Sequence, residues 1–298
     1  MTAATLTDHG IRDQTSTSFL TNLLAISFPH TTFRQKQGSV GMQDQLNQLV
    51  TELLAQANSL ESDARLLVGV SGFPGSGKSI LATKLVSALN ASSSSSPIAI
   101  CVGMDGWHYP RSVLSTFSDP KLAFDRRGSE WTFDSTRFAD FVSSVKRNPT
   151  STLKAPSFDH AEKDPLQDGV LVLPSHKVVV FEGLYCNCSV GEWGRAAKEM
   201  DRRLVFEMDK EEAKRRLVVR HVATGVAKDE DEAIWRGEFP ITTCLDFGKG
   251  DQVADVFLTL SCVRAVADNN DLPNGDWLMS HLLEPYTVVR SIDDPTWR

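Results

Sequence analysis

Residues 72 to 79 read Gly72-Phe73-Pro74-Gly75-Ser76-Gly77-Lys78-Ser79, a complete G-x-x-x-x-G-K-[ST] phosphate loop directly behind the apolar run Leu66-Leu67-Val68-Gly69-Val70. A strand, a glycine-rich turn and a helix start are therefore expected in that order. Glycines at 72, 75 and 77 permit backbone angles and close approaches that a Cβ would forbid, so consecutive amide groups can face one anion. Lys78 adds a mobile positive charge for β- and γ-phosphates, and Ser79 offers a hydroxyl ligand to Mg²⁺. The helix expected from Ile80 presents its positive dipole end to the same anion. Phe73, Pro74 and Ser76 complete the stretch expected to wrap the phosphates. The ligand that all these parts suit is a nucleoside triphosphate such as ATP.

The bulk numbers narrow the partners. With 298 residues, 41% of them hydrophobic, the chain can bury a substantial core. A formal net charge of −7 argues against nucleic acid, whose partners carry a basic face to replace counterions. Five cysteines, at 101, 186, 188, 244 and 262, lack the paired C-x-x-C spacing of zinc sites and read as reduced thiols of an intracellular protein. Cys186-Asn187-Cys188 reads as a structural pair before a metal site. No stretch approaches the roughly 18 apolar residues of a membrane span, so no membrane partner is expected. Residues 1–41, rich in Thr and Ser with one apolar patch from Phe19 to Phe28, read as a flexible or loosely docked extension and a poor signal peptide. A cytoplasmic location is expected, with organelle targeting by the extension left open, and a homodimer is compatible with the sequence.

Residues 42–298 read as one domain. Leu46, Leu49, Val50, Leu53, Leu54 and Ala57 recur at helical spacing between Met42 and Leu60. Apolar runs predict strands at Ile98–Val102, Lys177–Phe181, Arg203–Met208 and Val256–Leu260, with helices at Phe138–Val145 and from Lys210 to about His221. This alternation predicts an α/β fold of three layers, a mainly parallel central sheet between helices. Ligands in such sheets collect at the carboxyl ends of the strands. Gly72, Asp105 and Glu182 each stand at such an end.

Asp105 can be read in two ways. At a strand tip near a γ-phosphate it could take a proton from an attacking hydroxyl, or it could simply cap the turn before Gly106. Glu182 could hold Mg²⁺ or orient a nucleophile, or cap its own turn.

Five segments in order now matter together: Gly72 to Ser79, Met104-Asp105-Gly106-Trp107-His108, Arg126-Arg127-Gly128 with Thr132-Phe133-Asp134, Pro156-Ser157-Phe158-Asp159-His160, and Val180-Phe181-Glu182-Gly183-Leu184-Tyr185. Over roughly residues 65 to 262 the chain resembles the phosphoribulokinase/uridine kinase/pantothenate kinase family of P-loop kinases, in its uridine kinase-like sugar and nucleoside kinase branch, fungal type. The resemblance implies a P-loop fold with a helical lid at about 210–240 and Asp105 as catalytic base. It further implies an acceptor pocket lined by His108, Tyr109, Arg127, Phe158, His160, Glu182 and Tyr185, with Ser79 and Glu182 at the metal. The charged helix Lys214-Arg215-Arg216-Leu217-Val218-Val219-Arg220-His221 resembles the lid, whose arginines neutralise charge on the transferring phosphoryl group; Arg216 and Arg220, four apart, share one side. Two departures stand out. Ala161-Glu162-Lys163-Asp164 replaces the His-Ser-Arg element of uridine kinases, which points away from uridine itself, and the Asn-Asp pair expected after the lid is replaced near Gly237-Glu238-Phe239-Pro240. No guanine-reading element is present, which favours ATP over GTP. The implied activity is transfer of the γ-phosphoryl group of ATP, with Mg²⁺, to a hydroxyl of a small metabolite such as a nucleoside, sugar or similar alcohol. The competing expectation is an ATPase of the same fold that couples hydrolysis to a conformational or chaperone-like role.

Overall fold

Every residue of Leu66–Gly72 (β1) is buried, the condition of a central strand covered on both faces. The computed structural model describes residues 41–94, 96–159, 161–223, 267–292 and 294–297. Seven strands fall within them: β1, β2 (Ala99–Gly103), β3 (Leu153–Asp159), β4 (Asp164–Val172), β5 (Val178–Glu182), β6 (Arg202–Glu207) and β7 (Thr287–Arg290). Five make one parallel sheet in the order β2-β5-β1-β6-β7, while β3 and β4 form a separate antiparallel hairpin.

Strand parity sorts the core into two layers. Leu66, Val68, Val70, Val178 and Val180 pack against Leu46, Leu49 and Leu53 of α1 (Met42–Ser59) and Leu81, Leu85 and Leu89 of α2 (Lys78–Ala91). The alternate residues Leu67, Val179 and Phe181 meet Phe138 and Val142 of α5 (Ser135–Arg147) and Trp193 and Ala196 of α6 (Gly191–Glu199). Two short helices, α3 (Arg111–Leu114) and α4 (Pro120–Asp125), precede α5, and two more, α7 (Lys210–Ala223) and α8 (Leu272–Ser280), follow β6. Helices thus cover both faces of the sheet, as the alternation in the sequence implies.

Polar groups fix the ends of these elements. Asn90, at the end of α2, accepts from Ile98 N–H at 2.9 Å and Ala99 N–H at 2.8 Å, which sets the start of β2. Arg65, 2% exposed, donates to the carbonyls of Val145, Asn148, Ser151 and Leu173 and ties the start of β1 to α5 and β4. These bonds let a buried guanidinium remain in the fold; without partners its desolvation would be prohibitive.

Register places the site. Glu182, the last residue of β5, stands between Val70 of β1 and Gly103 of β2. The loop after β1 and the turn after β2 therefore leave the sheet on either side of the Glu182 carboxylate. The expected helices at 42–60 and 138–145 and the strands at 98–102, 177–181 and 203–208 are observed with ends shifted by up to three residues. The hairpin, α6, α8 and β7 are additions to that expectation. The Val256–Leu260 strand, residues 1–40, His160 and the lid beyond Ala223 lie outside the described residues.

Candidate active site

The phosphate loop takes the strand-to-helix path its glycines allow: φ is +78° at Gly75 and +94° at Gly77, the left-handed region that a side chain resists. Gly77 caps α2 without a side-chain hydrogen bond, which leaves the first-turn amides of α2 to an incoming ligand. A Cβ on Gly75 would lie 2.6 Å from the Ala213 carbonyl oxygen and 2.8 Å from Leu217 Cγ, so α7 is pressed directly onto the loop. Phe73 and Pro74 are buried; Phe73 packs with Ala213, Leu217 and Leu272 and serves the core. Ile80 packs against the α1–α2 layer.

At the strand tips the charges converge. Ser79 Oγ donates to Glu182 Oε1 at 3.0 Å. Burial is the largest influence on Glu182 and pushes its carboxyl above the ordinary range; Lys78 opposes this, the Asp105 carboxylate adds to it, and Arg220 opposes it again. These four side chains therefore share one electrostatic neighbourhood. Asp105 itself is exposed in the 3-10 turn Met104–Trp107, and its backbone oxygen, not its carboxylate, receives His108. A raised carboxyl binds its proton more tightly folded than unfolded, so its cost to stability appears as pH rises past the unfolded value of about 4.5 and grows until the folded pKa is passed. Glu182→Gln is accordingly expected to be more stable than the parent at neutral pH, with the gain shrinking toward pH 4, as read by denaturant midpoints.

The wall beyond Asp105 is aromatic. His108 lies 3.9 Å from Phe133 and 5.0 Å from Phe158 between ring centroids. Tyr109 packs on Phe117 at 5.6 Å, and burial followed by the Asp134 charge pushes its hydroxyl upward. Arg127 lies 5.6 Å from the Phe158 ring and donates to the carbonyls of Lys163 and Tyr109 and to Asp164 Oδ1 at 2.9 Å. It clamps the hairpin turn to the segment that follows the Asp105 turn. Asp164 belongs to the segment that departs from the uridine kinase pattern, and this departure supplies the carboxylate that Arg127 grips.

Tyr185 is turned into the core. Its side chain is fully buried among Phe133, Trp193 and Trp277, and its hydroxyl donates to Gly128 O at 2.9 Å. It supports the Arg126-Arg127-Gly128 turn from beneath. Tyr185→Phe should cost about 1–3 kcal/mol by leaving that carbonyl unpaired, with catalytic constants near those of the parent, as checked by thermal unfolding and steady-state rates.

Sequence reasoning missed a support on the far side of the same turn. Ser129 Oγ donates to Asn274 Oδ1, Asn274 Nδ2 to Asn270 Oδ1, and Asn270 Nδ2 to Arg127 O, at 2.9, 3.1 and 2.9 Å. The available signal was the close spacing of Asn270 and Asn274, four apart and so on one side of a helix.

Two further features border the loop. Arg216 Nη1 lies 3.9 Å from the position a Cβ on Gly77 would take, and Arg216 also lines a small cavity, with room for about one water, shared with Ser76, Gly77, Phe206, Asp294 and Trp297. Ser76 Oγ and Trp297 Nε1, both buried at this cavity, have no hydrogen-bond partner among the described residues. Arg215 and Arg216 are both paired with Glu212 of the same helix. Cys186 and Cys188 are buried in the aromatic core.

A parallel sheet covered on both faces, a phosphate loop on its central strand, carboxyl groups at two strand tips and an arginine helix lying on the loop define a P-loop kinase. The chain shares 38% identity over 177 residues with Schizosaccharomyces pombe C227.14, provisionally named a uridine kinase, covering 59% of this chain and 75% of that one. It shares 43% identity over 129 residues with the ATP-dependent kinase-like protein notR' of Aspergillus versicolor, covering 42% and 75%. Among solved structures, a protein of Silicibacter sp. TM1040 provisionally named a fructose transport system kinase aligns with a TM-score of 0.63 at 24% identity, covering 82% of this chain and 98% of that one. YFH7 from Saccharomyces cerevisiae also aligns at 0.63, with 19% identity over 86% and 100%. No protein-family model matches. The chain belongs to the uridine kinase-like family of ATP-dependent P-loop kinases.

Proposed function

We propose that the chain transfers the γ-phosphoryl group of ATP to a hydroxyl of a small metabolite such as a nucleoside, sugar or related alcohol. The observation that carries this reading is the shared neighbourhood of Asp105, Glu182 and Lys78 at the mouth of the phosphate loop. In it, the acceptor hydroxyl loses its proton to the Asp105 carboxylate as its oxygen bonds to phosphorus and the bond to the ADP oxygen breaks. Lys78, Arg216 and Arg220 hold the charge of the phosphates, and His108, Tyr109 and Phe158, in the pocket that Arg127 clamps, position the acceptor.

The donor set at the loop fits a hard cation. Ser79 Oγ and Glu182 offer oxygen alone, and among the described residues no cluster of three or more His, Cys, Asp or Glu forms an all-protein cage. Mg²⁺ is ordinarily bound by one or two carboxylates with phosphate oxygens and water. Bound by Ser79 and Glu182, it would neutralise charge on the β- and γ-phosphates. The test is ATP consumption with and without a panel of nucleosides, sugars and pantothenate-like alcohols: acceptor-dependent ADP release with equal phosphorylated product is expected. A constant rate indifferent to every acceptor would overturn the kinase reading in favour of an ATPase.

A further inference from the structure

We infer that Glu212 is the positioning residue of the arginine helix, holding Arg216 by Nε so that the terminal edge of its guanidinium stands over the phosphate loop. This rests on the reading that Arg216 binds the phosphates. Glu212 Oε1 accepts from Arg216 Nε at 2.8 Å and from Arg215 Nη2 at 2.8 Å, while Oε2 accepts from Arg215 Nε at 2.7 Å. One carboxylate, i to i+3 and i to i+4 from its partners, thus links an outer arginine to an inner one.

The direction of the link follows from which nitrogens are used. A latch that kept Arg216 from phosphate would occupy the Nη1–Nη2 edge, the fork suited to phosphate oxygens. Glu212 instead bonds Nε, on the stem side, and Nη1 remains 3.9 Å from the Cβ position of Gly77. Arg215 grips Glu212 through both Nε and Nη2, which fixes the carboxylate plane that in turn fixes Arg216. The hydrogen bonds from Arg215, then Arg216, hold the Glu212 carboxyl at about 2 against its partial burial, so the link stays charged across all working pH. Lining the same wall, Ala213 and Leu217 seat the helix on Gly75 and leave the arginine little choice of height.

The test uses the full chain, Mg²⁺ and two probes: a non-hydrolysable ATP analogue, and AMP, which lacks the β- and γ-phosphates. Glu212→Ala should weaken the ATP analogue about 10-fold, comparable to Arg216→Ala, with AMP affinity and melting temperature nearly unchanged. Glu212→Gln, which keeps an oxygen for Nε, should recover to within about 3-fold of the parent. In the Arg216→Ala background, Glu212→Ala should add nothing. An equal loss for AMP and the analogue, or a loss in that background as large as in the parent, would assign Glu212 a merely structural role and overturn the inference. Parent-like analogue binding by Glu212→Ala with weakened binding by Arg216→Ala would overturn it alone. Parent-like binding by Arg216→Ala would overturn the phosphate role of the helix with it.

Discussion

Asp105→Asn is expected to lower turnover by roughly 10²-fold or more while nucleotide affinity stays near that of the parent. The substitution keeps the shape of the side chain and removes its capacity to take a proton. The local fold should tolerate it, because the Asp105 turn is held by backbone: His108 N–H and Nδ1 meet the Asp105 carbonyl, and the Asp105 side chain is exposed. One repulsive neighbour of Glu182 also disappears, so the Glu182 carboxyl should titrate somewhat lower in the variant. Undiminished turnover with the best acceptor would remove Asp105 from the chemistry and leave it as a turn residue.

Lys78→Ala should fail in a different pattern, weakening ATP binding and cutting turnover together, the latter by roughly 10²- to 10³-fold, as when one charge-stabilising donor is lost from a preorganised site. Lys78 opens α2 beside the loop and is the largest influence opposing the burial of Glu182. Its loss should therefore also drive the Glu182 carboxyl further up. Nucleotide titration and steady-state rates separate the two variants: Asp105→Asn alters the rate at nearly constant affinity, whereas Lys78→Ala alters both. Parent-like affinity in Lys78→Ala would show that the loop amides and α7 suffice.

The strand tips were legible because each candidate residue follows a buried apolar run, and sequence adjacency to a strand end is enough to place a residue in a parallel sheet. What could not be read was the direction of side chains after those ends. Tyr185 stands in a motif that ends at the cleft, yet the turn after Glu182 sends its ring into the core between Trp193 and Trp277. Nor could motif matching tell that Arg127 is spent on Asp164 and two carbonyls, since those partners lie in a hairpin that the sequence hides. Pro156, Pro165 and Gly169 break the pattern of β3 and β4, and Leu166 and Leu171 are exposed there, against the usual alternation. Helix α8 was obscured in the same way by Pro273 and Gly275. The glycine has a packing reason, because a Cβ there would lie 2.5 Å from the Phe73 ring.

The contact between Gly75 and α7 carries a mechanical corollary. A helix that rests on a loop through its own backbone carbonyl cannot tilt without prying that loop open. Cradle and arginines are therefore geared together. Amide exchange at the base of α7 should then slow in step with exchange in residues 73 to 79 when ADP is added, even though the Ala213 N–H, bonded to the Asp209 carbonyl, is spent within the protein.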